Sequence, residues 1–289
     1  MKRAEIMEIA IVGAGRVGQT LCRALKKQKI RIGAIVNRSV QSARRAADFI
    51  GGGRPGSRVE DNFFHANVVL IGVPDPQISD TAQDLARIGG FAWRDKVVLH
   101  FSGSRTSAEL SSLARLGAHC GSLHPILPLP RRLNRLPNSL FCGIEGDLEA
   151  MRCASRLTRC LRAKPIKIDS ASKALYHAAI ALVGGHLMAL VETGAQMLSH
   201  AGVPRNLAAN AIVSPIFTTL SQYKSYRADA WTGPISRADL QTLNLHLSAF
   251  KKLPRNFGDL YRFLGLKSLD AFAPPGSKKY QPIARRLKG

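Results

Sequence analysis

The chain has 289 residues, 45% of them hydrophobic, enough apolar material for two domain cores without metal or disulfide staples. Forty-two Lys and Arg against nineteen Asp and Glu give a net charge of +23, a field that gathers anions. The basic residues are scattered and aromatics are only 6%, so no nucleic-acid-binding motif accompanies the charge and no nucleic-acid partner is expected.

In chain order, residues 8–12 read as a buried strand, followed by Gly13-Ala-Gly-Arg-Val-Gly18 and a helical pattern to about Lys29. Ile32 to Val36 is a second apolar run, and Ser39 is placed to cap a helix over 40–50. Gly51 to Arg58 reads as a mobile loop. Val68 to Val73 is a buried strand stopped by Pro74-Asp75-Pro76, a helix is expected over 77–88, and Val97 to Phe101 is the next strand. A helix over 106–116 follows, then Ala118 to Pro130, which begins as a strand and ends as a proline-rich loop. Leu140–Ile144 and Pro165–Ile168 are further strands flanking a helix from 147 to 162. Strands that are apolar throughout, alternating with helices, predict a doubly wound parallel sheet covered on both faces.

After Asp169 the pattern becomes all-helical. Ala171 to Ala201 reads as one helix, capped by Asp169 or Ser170 and ended by Gly202 before Pro204. Its paired Gly184 and Gly185 imply tight packing or a kink. Further helices are expected at 205–223, 236–250 and 256–264, and the basic tail from Pro274 reads as loosely ordered. The domains are therefore 1–169 and 170–289. No uninterrupted apolar run reaches the ~18–20 residues of a membrane helix, the N-terminus has no signal-peptide pattern, and five cysteines lack C-x-x-C spacing. A soluble cytoplasmic chain with reduced thiols, no membrane partner and no metal site is the expectation.

Gly13, Gly15 and Gly18 follow a strand and open a helix, the setting in which G-x-G-x-x-G binds a dinucleotide. Arg16 and Val17 complete the loop, whose free helical N–H groups face the phosphates. At the end of the second strand an NAD site usually places Asp or Glu; this chain has Asn37-Arg38-Ser39. Arg38 can pair with a 2′-phosphate and Asn37 and Ser39 can donate to it, so the expected cofactor is NADP(H). Arg38 also reads as a solvated arginine of a basic chain. Val73, Pro74, Asp75, Ser102 and Gly103 fall at strand ends where the nicotinamide would lie, and equally serve as loop punctuation.

Ser122-Leu-His-Pro125, Gly143-Ile-Glu-Gly-Asp147, Lys173-Ala-Leu-Tyr-His-Ala-Ala179 and Thr232-Gly-Pro-Ile-Ser-Arg-Ala-Asp239 resemble a family of predicted oxidoreductases. In that family a Rossmann-like domain precedes a helical domain of unknown function. The layout is more distantly similar to pyrroline-5-carboxylate reductase, ketopantoate reductase and the beta-hydroxyacid dehydrogenases, with a helical part like that of 6-phosphogluconate dehydrogenase. The resemblance implies hydride exchange between NADP(H) and a small carbonyl or imine substrate, expected to be carboxylated, and a homodimer through the helical domain. Matched motifs single out Lys173 and His177, four apart on one helix face, and His124 as proton-handling residues. Arg237 and Thr232 are the candidates for binding substrate. Each has a plainer reading: a surface lysine, packed or loop-fixing histidines, an Arg237–Asp239 pair. Two departures stand out. Gly184-Gly185 replaces an expected Ser-Asn, removing a substrate-binding amide, and Ala238 stands where glycine is usual. A non-catalytic NADP-binding sensor is the rival function, and ketopantoate reduction the runner-up activity.

Overall fold

Each apolar run of the N-terminal half becomes a strand of one sheet. In the computed structural model, which describes residues 7–289, these are β1 (Glu8–Val12), β2 (Arg31–Val36), β3 (Arg54–Gly56), β4 (Val68–Ile71), β5 (Val97–His100), β6 (His119–Pro125), β7 (Phe141–Gly146) and β8 (Lys164–Lys167). The eight lie in the order β3-β2-β1-β4-β5-β6-β7-β8. Neighbours are parallel except β6 and β7, which run antiparallel with His124 opposite Gly143 and Ser122 opposite Glu145. Alternate residues feed two cores. Ile9, Ile11, Leu70 and Leu99 pack on one face, and Ala10, Val69, Ile71 and Val98 on the other with Phe63 and Trp93.

The covering helices are α1 (Arg16–Lys27), α2 (Val40–Ile50), α3 (Ile78–Gly89), the short α4 (Ser111–Ala114) and α5 (Leu148–Cys160). Ser39 caps α2 by accepting from the Ser42 N–H, as its position suggests. Three expectations need correcting. The glycine-rich stretch after α2 contains β3, which pairs with β2 at the sheet edge, a place that tolerates Pro55. The helix expected over 106–116 is only a 3-10 turn, Ser107–Leu110, leading into α4. Asp169 and Ser170 do not cap the long helix: the chain enters it through a 3-10 turn without a side-chain cap, and the Ser170 hydroxyl bonds Glu145 instead.

That helix, α6 (Lys173–His200), is continuous for 28 residues. A Cβ added at Gly184 or Gly185 would meet nothing within 4 Å, so neither tight packing inside the chain nor a break explains the pair. By length and composition Ser170–His200 is also able to cross a membrane, with a mean hydropathy of 1.7 in its most apolar window; Gly184, Gly185 and His186 do not interrupt it. The chain divides into two compact units at Gly185/His186, inside α6 rather than at Asp169, because the first turns of α6 pack on the sheet.

The second unit holds the end of α6 with α7 (Arg205–Tyr226), α8 (Pro234–Arg237), α9 (Leu240–Ala249), α10 (Arg255–Phe272) and α11 (Gln281–Lys288). The helix expected over 236–250 is divided between α8 and α9 by Ala238, whose φ of 58° is left-handed. The tail is ordered, not loose. Ile283 and Leu287 of α11 are buried with Leu243, Leu247 and Leu269, and Arg262 donates to the Arg286 carbonyl at the helix end. Its basic charge misleads because the two apolar positions lie four apart on one face.

Candidate functional site

The glycine loop leaves β1 through Gly13, whose φ of +75° only glycine adopts without strain. A Cβ there would also lie 2.6 Å from the Val73 side chain, on the loop after β4. Gly15 differs: its added Cβ would come no closer than 3.7 Å to any protein atom. The protein's own packing does not demand glycine there, so its smoothness serves an approaching ligand. No side chain caps α1, leaving its first N–H groups free. Gly13, Gly15, Arg38, Ser39, Arg45 and Val73 are among the residues lining a cleft of about 420 Å³, and no carboxylate lines it.

The three residues after β2 divide the work in a way their order does not reveal. Asn37 accepts from the Ala14 N–H at 2.7 Å and donates to the Ser42 hydroxyl at 3.1 Å, so its amide locks the glycine loop. The Ser39 hydroxyl accepts from the Ser42 N–H as the α2 cap, which leaves its own O–H free at the cleft. Arg38 faces the cleft together with Arg45, a residue sequence reasoning missed. Pro74 also lines this cleft, whereas Arg16 is turned to the Pro130 carbonyl at 2.9 Å. Val17 and Gly18 sit in the first turn of α1 behind it.

Further along the strand ends lies a buried polar cluster. Lys173, 1% exposed, donates to Ser122 and, at 2.9 Å, to Glu145, also 1% exposed. Glu145 accepts in addition from the Ser107 hydroxyl at 2.7 Å and the Ser170 hydroxyl at 2.9 Å. Burial alone would raise the Glu145 carboxyl, but these donors, Ser107 and then Lys173, hold it down at about 2. Burial lowers the Lys173 ammonium, against the pull of Glu145. This lysine is therefore engaged as the pin fastening α6 to β6 and β7. On β5, His100 is buried, donating to the Thr106 carbonyl at 3.0 Å and accepting from the Ser102 N–H at 3.1 Å. Burial, reinforced by Lys173, pushes its pKa down to about 4.

His124, His177 and Gly103 converge on the same edge. A Cβ at Gly103 would lie 2.5 Å from the His177 ring and 2.8 Å from that of His124, so only glycine lets the β5 loop pass. The Tyr176 hydroxyl is 2.8 Å from His124 Nδ1. Burial, then the neighbouring His177 and Lys173, bring His124 down to about 4, while burial raises Tyr176 to about 12. Both are neutral at pH 7. The Ser102 hydroxyl donates to Asp75 at 2.5 Å. Asp75 was expected at this edge with Val73 and Pro74, whereas Tyr176, Glu145 and His100 were not singled out from sequence. Two signals were there: Tyr176 lies between Lys173 and His177, and Glu145 is a lone acid in an apolar strand.

Thr232 and Arg237 belong to the second unit, where both are exposed at the two ends of the α8 segment. Asp239 is the α9 cap, accepting from the Thr242 N–H at 2.9 Å, and Arg237 makes no ion pair among the described residues. The left-handed backbone at Ala238 gives the reason glycine suits that position.

A sheet with a glycine loop at its switch point, carrying polar residues on the carboxyl edge and followed by a helical unit, has the architecture of a Rossmann-like domain joined to a second, helical one. The comparisons agree. Residues 1–125 match the Rossmann-like domain and residues 140–268 match a domain of unknown function, DUF2520, so the chain pairs the two domains of the family it resembles. Among solved structures, protein TM1727 from Thermotoga maritima is 22% identical with a TM-score of 0.72, covering 91% of this chain and 97% of that one. A reductive aminase from Aspergillus terreus, solved with NADPH and ethyl levulinate, is 14% identical with a TM-score of 0.65, covering 96% and 99%. Pyrroline-5-carboxylate reductase from Coxiella burnetii is 14% identical with a TM-score of 0.60, covering 98% of each. At these identities the likeness is one of fold. No curated protein matches the chain.

Proposed function

We propose that this protein is an NADP(H)-dependent oxidoreductase exchanging hydride with a small carbonyl or imine compound. The observation that carries the reading is the cleft over the glycine loop, where free helical N–H groups, Arg38 and Arg45 meet without any carboxylate. A 2′-phosphate would be paired there and repelled by nothing. A dinucleotide bound in this way supplies hydride at its nicotinamide ring. The chain's own contribution is to hold the phosphates, to keep the loop rigid through Asn37, and to present Ser102, Gly103, His124 and His177 at the strand edge. The names of the reductive aminase and of the pyrroline-5-carboxylate reductase support reductive chemistry on this fold. Lys173, the expected anchor for a substrate carboxylate, is held by Glu145; Arg237 and Thr232 remain candidates for substrate contact.

As part of the same proposal the chain is a homodimer in the cytoplasm. Val183 and Met188 on α6 and Phe217 on α7 are 67%, 69% and 71% exposed, faces that a second copy would cover. The five cysteines are free thiols. The confinement of Lys173 favours one rival, a non-catalytic NADP sensor. Titration of the protein's melting point with NADPH and NADH tests the cofactor. NADPH at a hundred times its dissociation constant should add ~2.7 kcal/mol, NADH much less, and Arg38→Ala should erase the difference. Equal shifts by the two cofactors would refute the NADP assignment; NADPH binding with no turnover of any carbonyl or imine would favour the sensor.

A further inference from the structure

We infer that the substrate's reacting group is positively charged when it binds, a protonated imine rather than a ketone, and that Asp75 is its counter-ion. The inference rests on the hydride-transfer reading and deepens it. It starts from a local reversal of charge. The chain carries 42 basic and 19 acidic residues, yet the strand edge holds two carboxylates, Asp75 and Glu145, and one ammonium, Lys173. Lys173 and Glu145 are buried against each other at 2.9 Å and cancel. Asp75 is left over, with no ion pair among the described residues.

Its surroundings show that this carboxylate is aimed. The 3-10 turn leading into α3 begins at Asp75, and an acid at a helix start commonly caps it; here no side-chain cap is made. Instead Oδ2 accepts from Ser102 at 2.5 Å and from Ser104 at 3.4 Å, on the loop after the neighbouring β5. Ser102 is itself fixed, since its Oγ accepts the N–H groups of Ser104 and Arg105 at 3.2 and 2.9 Å. Oδ1 has no hydrogen-bond partner among the described residues. Asp75 thus stands between Val73, which lines the cofactor cleft, and Gly103, which abuts His124 and His177.

The proton count points the same way. A ketone that accepts hydride becomes an alkoxide and needs a proton donor. Lys173 is pinned by Glu145, and the neutral His124 and Tyr176 are hydrogen-bonded to each other, so of the side chains at this edge only His177 is left to donate. A protonated imine needs no donor. Its carbon takes the hydride from the reduced dinucleotide, the C=N π pair moves to nitrogen, a neutral amine forms, and the dinucleotide is left oxidised. An adjacent carboxylate favours this charged form of the substrate.

The test uses the whole protein saturated with NADP⁺, with pyrrolidine as its ammonium ion and cyclopentanone as the neutral ring of like size. Pyrrolidinium should raise the melting point and cyclopentanone should not, and Asp75→Asn should remove the effect. With NADPH, 1-pyrroline should be consumed about tenfold or more faster than cyclopentanone, and Asp75→Asn should shrink that preference by about tenfold while leaving NADPH affinity unchanged. No response to pyrrolidinium, or cyclopentanone consumed as fast as 1-pyrroline, overturns the inference. If Asp75→Asn weakens NADP⁺ binding but keeps the pyrrolidinium shift, the carboxylate serves the oxidised cofactor and the inference falls. Failure of NADPH to bind the unaltered protein would instead bring down the reading beneath it.

Discussion

Asn37 shows how a side chain visible in sequence can carry a further role in the structure. Its place after the second strand puts it in the lining of the cleft over the glycine loop. Its amide, however, accepts from Ala14 and donates to Ser42, and the charged side chains that line the cleft beside it are Arg38 and Arg45, the latter well along α2. Motif order gives the residue type and the strand end; which atoms are left free depends on contacts across 23 positions of chain. Ala238 runs the other way, since a departure from the family pattern acquires a physical cost from its φ of 58°. Ala238→Gly should relieve that strain and stabilise the second unit by about 1 kcal/mol, read as a higher denaturant midpoint with an unchanged slope. A neutral or destabilising result would mean that the αL conformation costs nothing here. The two depressed histidines yield a pH dependence. His100 and His124 titrate near 4 when folded and near 6.5 otherwise, so below about 6.5 the unfolded chain binds more protons. Stability should therefore fall as pH drops from about 6.5 towards 4, by a few kcal/mol in all. A melting point flat from pH 6.5 to 5 would contradict the burial of these rings.

At the level of elements, what the sequence displayed best were segments with one job. The strands of the sheet other than β3 and the first two helices fall within a residue or two of their apolar runs, because their periodicity is set by the core alone. Elements that owe their form to partners were less legible. β3 is a strand because β2 offers an edge, α8 and α9 are separated by one left-handed residue, and α11 is ordered by burying Ile283 and Leu287. The same distinction governs α6. Its length is plain from composition, but its attachment is the Lys173–Glu145 pair, which no spacing rule reveals because the partners are 28 residues apart. Lys173→Met should cost about 3–5 kcal/mol by stranding a buried carboxylate, whereas Lys173→Met with Glu145→Gln should recover most of it. Equal losses in the single and double variants would show that packing, and not charge, holds the helix start.

For the whole molecule, two properties pull against each other. A charge of +23 keeps copies apart, while the exposed apolar residues of α6 and α7 draw surfaces together. The proposed dimer resolves this by burying the apolar faces and leaving the basic ones in water. Light scattering should give twice the chain mass, and Phe217→Glu should shift it towards the monomer; a monomeric unaltered protein in aqueous buffer, or one that dissolves only with detergent, would refute it.

The last helix sets an order of events. Leu243, Leu247 and Leu269 cannot complete their core until Ile283 and Leu287 arrive, so the second unit closes only after residue 287 has been synthesised and has cleared the ribosome. The sheet needs nothing beyond the first turns of α6 and can be finished long before. During that interval each nascent chain carries a finished sheet and an unclosed bundle of apolar helices. A chain that stops before Ile283 and Leu287 should therefore leave the core of Leu243, Leu247 and Leu269 open to solvent.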